Sequence, residues 1–168
     1  MPCKIKKQKR MKFTISSSEL SSTLNAASGV VGSNAVLPIM EDFLFKIEGG
    51  KLEITATNLE NTIITKIDVQ ADEDPTVAIP AKILIETMKT LPEQPVTFDV
   101  NPDNFAIELT TAFGKYKMAG DNPDEFPETS TAEDASSITV SGSTMERAIT
   151  KTTFATSNDE LRLAMMGV

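Results

Sequence analysis

A strand followed at once by an amphipathic helix recurs three times along this chain, and that repeat constrains the fold more than any other feature. The strands begin at Lys12, Thr76 and Ser137. The first helix carries Leu20, Leu24, Ala27 and Val31, the second Leu84, Met88 and Leu91, and the third Met145, Ile149 and Thr152 with Ala148 beside them. Apolar residues at i, i+4 and i+7 form one helix face that must pack on another layer. Ser16-x-x-Glu19 and Ser143-x-x-Glu146 have capping-box spacing, and Pro80 suits a first helical turn.

Between the helices the apolar period changes to two. Phe43, Phe45 and Ile47 alternate up to a Gly49-Gly50 turn, and Leu52, Ile54 and Ala56 follow, then Ile63, Thr65, Ile67 and Val69. After the second helix come Val96, Phe98 and Val100, a turn at Asn101–Asn104, then Phe105, Ile107 and Leu109. A last strand spans Lys115–Ala119, with Tyr116 and Met118 on one face. These are antiparallel hairpins with one buried face each. Each repeat therefore reads β-α-β-β-β, and the class is α+β, with two helices packed on antiparallel sheets.

The repeat also sets the expected boundaries. Residues 11–127 form a first domain closing at Phe126-Pro127. Residues 128–136 are acidic, rich in Ser and Thr, and aperiodic, as expected of a linker. Residues 137–168 read as the truncated start of a second domain, with Leu161, Leu163, Met165 and Met166 in a strand-like run. Residues 1–10 hold Lys4, Lys6, Lys7, Lys9 and Arg10 without an acid or an apolar run, and read as a non-native or disordered extension rather than a secretory signal. No stretch reaches transmembrane length, so no membrane partner is expected, and the single Cys suits a cytoplasmic protein.

The inventory argues against catalysis. The chain has no His and one Cys, so no cofactor or metal is expected. Ser and Thr lack a His to activate them, and neither GxxxxGK[ST] nor GxGxxG occurs. The acidic runs at Asp72-Glu73-Asp74 and Asp121–Glu125 flank prolines and read as solvated turns. The net charge of -8 is, at face value, unfavourable for a phosphate-binding surface.

The order of several short segments bears on that last point. Met11-Lys12-Phe13-Thr14-Ile15, Leu37-Pro38-Ile39, Thr55-Ala56-Thr57-Asn58-Leu59-Glu60, Ile79-Pro80-Ala81-Lys82 and Phe126-Pro127 stand in sequence, followed by Phe154-Ala155-Thr156 and Asp159-Glu160-Leu161-Arg162. Together they resemble the bacterial sliding clamps, the beta subunits of the replicative DNA polymerase. The resemblance implies a DNA clamp fold and a non-enzymatic processivity factor, of which this chain is a fragment. Such a factor is a head-to-tail homodimer closed as a ring around duplex DNA, topologically and without sequence preference. Its other partners are the replicative polymerase and the clamp loader.

By the same resemblance, Lys82, Lys89, Arg147, Lys151 and the loop residue Asn34 would face DNA. Some members carry Arg where this chain has Asn34, and an amide where it has Asp159, and both departures reduce positive charge. Arg162 and Met165 would form the edge of a pocket that receives partner peptides. Lys115, Tyr116, Lys117 and Met118 would lie on the edge strand of the ring interface. Alternation leaves open whether Tyr116 and Met118 face that interface or their own core. A topological ring needs a basic inner face and tolerates an acidic exterior, so the distribution of charge matters more than its total. The alternative reading is an acidic β-rich scaffold or adhesion module that binds proteins and has no link to DNA.

Overall fold

The computed structural model describes residues 11–32, 37–71, 74–128, 138–157, 159 and 161–168. Two compact units divide between Thr129 and Ser130. The expected decapeptide extension lies outside the described residues, as does all of the linker but Glu128.

In the first unit β1 (Met11–Ser16) runs directly into α1 (Ser17–Ala27). Then come β2 (Asp42–Glu48), β3 (Lys51–Thr57), β4 (Thr62–Asp68), the short β5 (Gln70–Ala71) and β6 (Thr76–Pro80). Next follow α2 (Ala81–Thr90), β7 (Pro95–Val100), β8 (Ala106–Thr111) and β9 (Gly114–Ala119). Gly49 and Gly50 join β2 to β3 with φ of 59° and 78°. That two-residue turn needs positive φ at both positions, which glycine adopts without a Cβ penalty.

The strands form two antiparallel sheets, in the orders β5-β1-β7-β8-β9 and β4-β3-β2-β6. The two halves of the unit exchange their first strands. β1 precedes α1 in the chain but pairs with β7, with Phe13 opposite Phe98. β6 precedes α2 but pairs with β2, with Phe43 opposite Ile79. The first sheet is thus completed by β1 and β5 of the first repeat and the second by β6 of the second repeat, and neither repeat is a separate folding layer.

The exchange builds one core. The Phe13 and Phe98 rings stack at 4.7 Å and 5°, and Phe45 of the other sheet tilts against them at 6.4 and 6.2 Å. Leu20, Leu24 and Ala27 of α1 and Ala81, Leu84 and Met88 of α2 are buried in the same cluster. Each fully buried Leu, Phe or Met contributes about 1.5–3 kcal/mol of transfer free energy. A buried polar residue closes the helix entry: Ser17 Oγ donates to Pro92 O at 2.8 Å and accepts from Gln94 N at 3.0 Å.

Local chemistry departs from expectation at each helix start. Ser16 makes no capping bond, because its Oγ pairs with Ser18 Oγ at 2.9 Å. Pro80 ends β6 opposite Asp42, and Ala81 is the first helical residue. In the second unit α3 spans Gly142–Thr152, so its cap is Ser141, two residues before the expected Ser143. Ser141 Oγ accepts from Thr144 N at 3.3 Å.

Among its described residues the second unit also lacks both expected strands. Residues 138–141 are irregular, and Leu163–Met165 forms a 3-10 turn in which Met165 O accepts from Ser157 N at 2.7 Å. A strand persists only where another strand takes its amide and carbonyl groups. Among the described residues of this unit there is no such partner. Met145 and Ile149, the apolar face of α3, are accordingly about half exposed.

Candidate functional surfaces

The outward face of α2 carries Lys82 and Lys89, both exposed and two turns apart, opposite the buried Ala81, Leu84 and Met88. Glu86 lies between them and is also exposed. On α1 the only charged residue is Glu19. The two helices therefore carry Lys82 and Lys89 against Glu19 and Glu86, and their charges cancel. The charges on the strands cancel as well. Formal charge therefore does not separate the helices from the strands in the described part of this unit. Its acidic excess sits in turns and 3-10 segments, including Glu41, Glu60, Glu93, Asp103, Asp124 and Glu125. Strand and helix interiors alternate or cycle around a buried face, whereas turns accept carboxylates without desolvation.

The edge strand β9 pairs with β8 on one side only. Lys115 Nζ meets Glu108 Oε1 at 2.6 Å, and Lys117 Nζ lies 3.9 Å from Glu108 Oε2. Lysines along an unpaired edge discourage indiscriminate strand addition. Tyr116 stands opposite Leu109 and Met118 opposite Ile107. Met118 is 8% exposed and belongs to the core, while Tyr116 on the same face is 37% exposed at the rim. Phe113, at the β8–β9 turn, is 72% exposed.

In the second unit Arg147 and Lys151 are exposed and lie one turn apart on α3. Arg162 Nε lies 3.5 Å from Asp159 Oδ2, so its charge is partly answered locally. Met165 is 58% exposed. Asn34 lies outside the described residues.

Two features escaped the sequence reading. Gly120 passes so close to other backbone that a Cβ there would lie 2.8 Å from both Ala78 O and Phe105 O. Asp42, at the start of β2, is 4% exposed, and its neighbour in space is Asp121. Asp121 itself is exposed, but its backbone bridges to Ala78, so it is more than a solvated turn charge. Asp124 and Glu125 are exposed as expected. A lone glycine and a lone acid at a strand start carry no periodic signal, so only the packing exposes them. Among the described residues no group of three His, Cys, Asp or Glu side chains could hold a metal. No helix there is long and apolar enough to cross a membrane.

The model of the DNA polymerase III beta subunit N-terminal domain matches residues 11–130, which take in every strand of the strand-exchanged unit. The chain belongs to this family. It is 30% identical to the beta sliding clamp of Synechococcus elongatus, over 94% of this chain and 42% of that protein. The beta sliding clamp of Vibrio cholerae is 27% identical over 94% of this chain and 43% of its own length. Among solved structures, the Caulobacter crescentus beta sliding clamp superposes with a TM-score of 0.84 at 28% identity, covering 91% of this chain and 41% of that one. The fold is that of a DNA clamp, of class α+β. The chain spans less than half the length of these relatives.

Proposed function

We propose that this chain is the N-terminal part of a DNA sliding clamp, a non-catalytic processivity factor that encircles duplex DNA as a head-to-tail ring dimer. The observation that carries the proposal is the family match over residues 11–130, which take in every strand of the strand-exchanged unit. Residues 11–127 are the first clamp domain in this reading, and residues 137–168 begin the second. A ring tethers by topology, so it raises the local concentration of a polymerase without tight contacts to DNA. Weak, sequence-independent phosphate contacts permit sliding.

Lys82 and Lys89 are the DNA-facing cations of the first unit in this proposal, and Arg147 and Lys151 those of α3. Asn34 joins them as a loop contact. β9 is the ring interface: Tyr116 at its rim and the exposed Lys115 and Lys117 meet the second subunit, while Met118 supports the strand from the core. Arg162 and Met165 form the edge of the partner-peptide pocket. Duplex DNA, the replicative polymerase and the clamp loader are the partners. The scaffold alternative has no specific observation in its favour.

The test is primer extension by the cognate polymerase and clamp loader, with the product of the full reading frame, on primed circular and linear templates. Long products on circles, and their loss on linear DNA with free ends, are expected. Equal product lengths with and without the protein would exclude the clamp role.

A further inference from the structure

The chain leaves β9 through Gly120 and Asp121 and crosses from one sheet to the free edge of the other. Gly120 N donates to Phe105 O at 2.9 Å. Asp121 N donates to Ala78 O at 2.9 Å, and Ala78 N donates to Asp121 O at 3.3 Å. Phe126 then covers Ile39, Met40 and Ala78 and is 7% exposed. This closing segment seals β6, so its attachment sets where the chain departs from the first unit.

Asp42 lies beside this seal, opposite Pro80 at the end of β6. Its Oδ2 is buried and meets no donor. An ionised Asp42 would leave that oxygen uncompensated, which is costly. A protonated Asp42 can instead donate to the carboxylate of Asp121. We propose that Asp42 holds a proton and donates it to the Asp121 carboxylate, and that this contact is a latch holding the Gly120–Phe126 segment on β6 that weakens as the solution becomes less acidic.

The surroundings favour the proton. The charged groups acting on Asp42 are Asp121, from the closing segment, and Glu41, from the preceding 3-10 turn, both acids. β6 has no titratable side chain, and neither has the end of β3 at Thr55–Thr57. On α2, Lys82 shares a shallow depression with Glu41. Asp124 and Glu125, further along the segment, are exposed. Burial, then the bond to Asp121 and its charge, then Glu41, push the Asp42 carboxyl up to about 7. With the Gly120–Phe126 segment released, Asp42 is solvated and titrates near 3.9. Protons thus favour the latched form, and opening grows as pH rises from about 4 to about 7, then levels off.

The test is NMR on this chain. The Asp42 side-chain carboxyl is followed by carbon shift, and amide exchange of Asp121 and Ala78 is compared with that of β3 amides. An Asp42 midpoint near 7 is expected. Protection at Asp121 and Ala78, corrected for intrinsic exchange, should fall by up to about tenfold per pH unit from pH 5 to pH 7 and then hold, with β3 unaffected. Asp42→Asn keeps a donor toward Asp121 and should abolish the pH dependence. If that variant does not fold, the wild-type titration decides. An Asp42 midpoint below about 5, or protection that is flat with pH, would overturn the latch. So would Mg2+ or Ca2+ restoring protection at pH 8, because the pair would then hold a cation rather than a proton.

Discussion

Replacing Gly120 by Ala tests the join between the two sheets. The new Cβ would lie 2.8 Å from Ala78 O, 2.8 Å from Phe105 O and 3.0 Å from Ile107 Cδ1. Ordinary contact begins near 3.4 Å, so both carbonyls must retreat by more than half an ångström. Neither is free to do so, because Ala78 O accepts from Asp121 N and Phe105 O from Gly120 N, each at 2.9 Å. Overpacking typically costs about 1–3 kcal/mol. Losing one of these shielded hydrogen bonds adds about 1–3 kcal/mol. The lower entropy of the unfolded alanine chain returns about 0.4–1 kcal/mol. The expected net loss is about 2–4 kcal/mol. Urea unfolding followed by circular dichroism, with equal slopes for both proteins, measures it. Gly29→Ala is the control, since nothing lies within 4 Å of its Cβ position and its φ is not left-handed. That change should be neutral or stabilising by up to about 1 kcal/mol. If the two substitutions prove equal in effect, the close approach at Gly120 does not constrain the fold.

Three further outcomes are expected. Phe98→Ala removes the ring stacked on Phe13 and should cost about 3–5 kcal/mol in the same urea assay. The double change Lys82→Ala and Lys89→Ala removes exposed cations and should leave stability within about 0.5 kcal/mol per site. In the full-length product it should make DNA association less salt-dependent if those lysines face phosphates. Finally, the Asp42 carboxyl is raised to about 7 when folded, so the folded state binds the extra proton. Between pH 4 and pH 7 the wild type should therefore lose stability relative to Asp42→Asn, by a few kcal/mol at most, with no further divergence above pH 7. Urea midpoints at several pH values give that difference directly.

Much of the fold was legible because it is written in short periods. The alternation at Phe43, Phe45 and Ile47 and the helical spacing of Leu84 and Met88 both report a buried face, and both elements form as read. The strands expected at Ser137–Ser141 and around Leu163 do not form among the described residues, because alternation announces only the capacity to pair. Ser16 and Ser143 had the right spacing for caps, yet Ser16 Oγ bonds Ser18 Oγ and leaves α1 without a side-chain cap, and an earlier start gives the cap of α3 to Ser141. The candidate cations were legible only as residues on helices.

The edge strand shows the same division on a smaller scale. Alternation put Tyr116 and Met118 on one face, but it was the depth of packing against Leu109 and Ile107 that buried Met118 and left Tyr116 at the rim. The Asp42–Asp121 pair is a longer-range case: two acids far apart in the chain meet because Asp121 bridges to β6 beside the start of β2.

By itself, then, the amino-acid order determined the main strands and helices of the first unit, which face of each is apolar, and that the unit repeats. Those properties depend on residues a few positions apart. Which strands pair beyond the hairpins was decided only in three dimensions. β1 joins β7 rather than the hairpins of its own repeat, and β6 joins β2, because this exchange brings Phe13, Phe98 and Phe45 into one core. Backbone amides are alike in every strand and carry no address, so the partner is selected by the shape and burial of side chains brought together from distant parts of the chain.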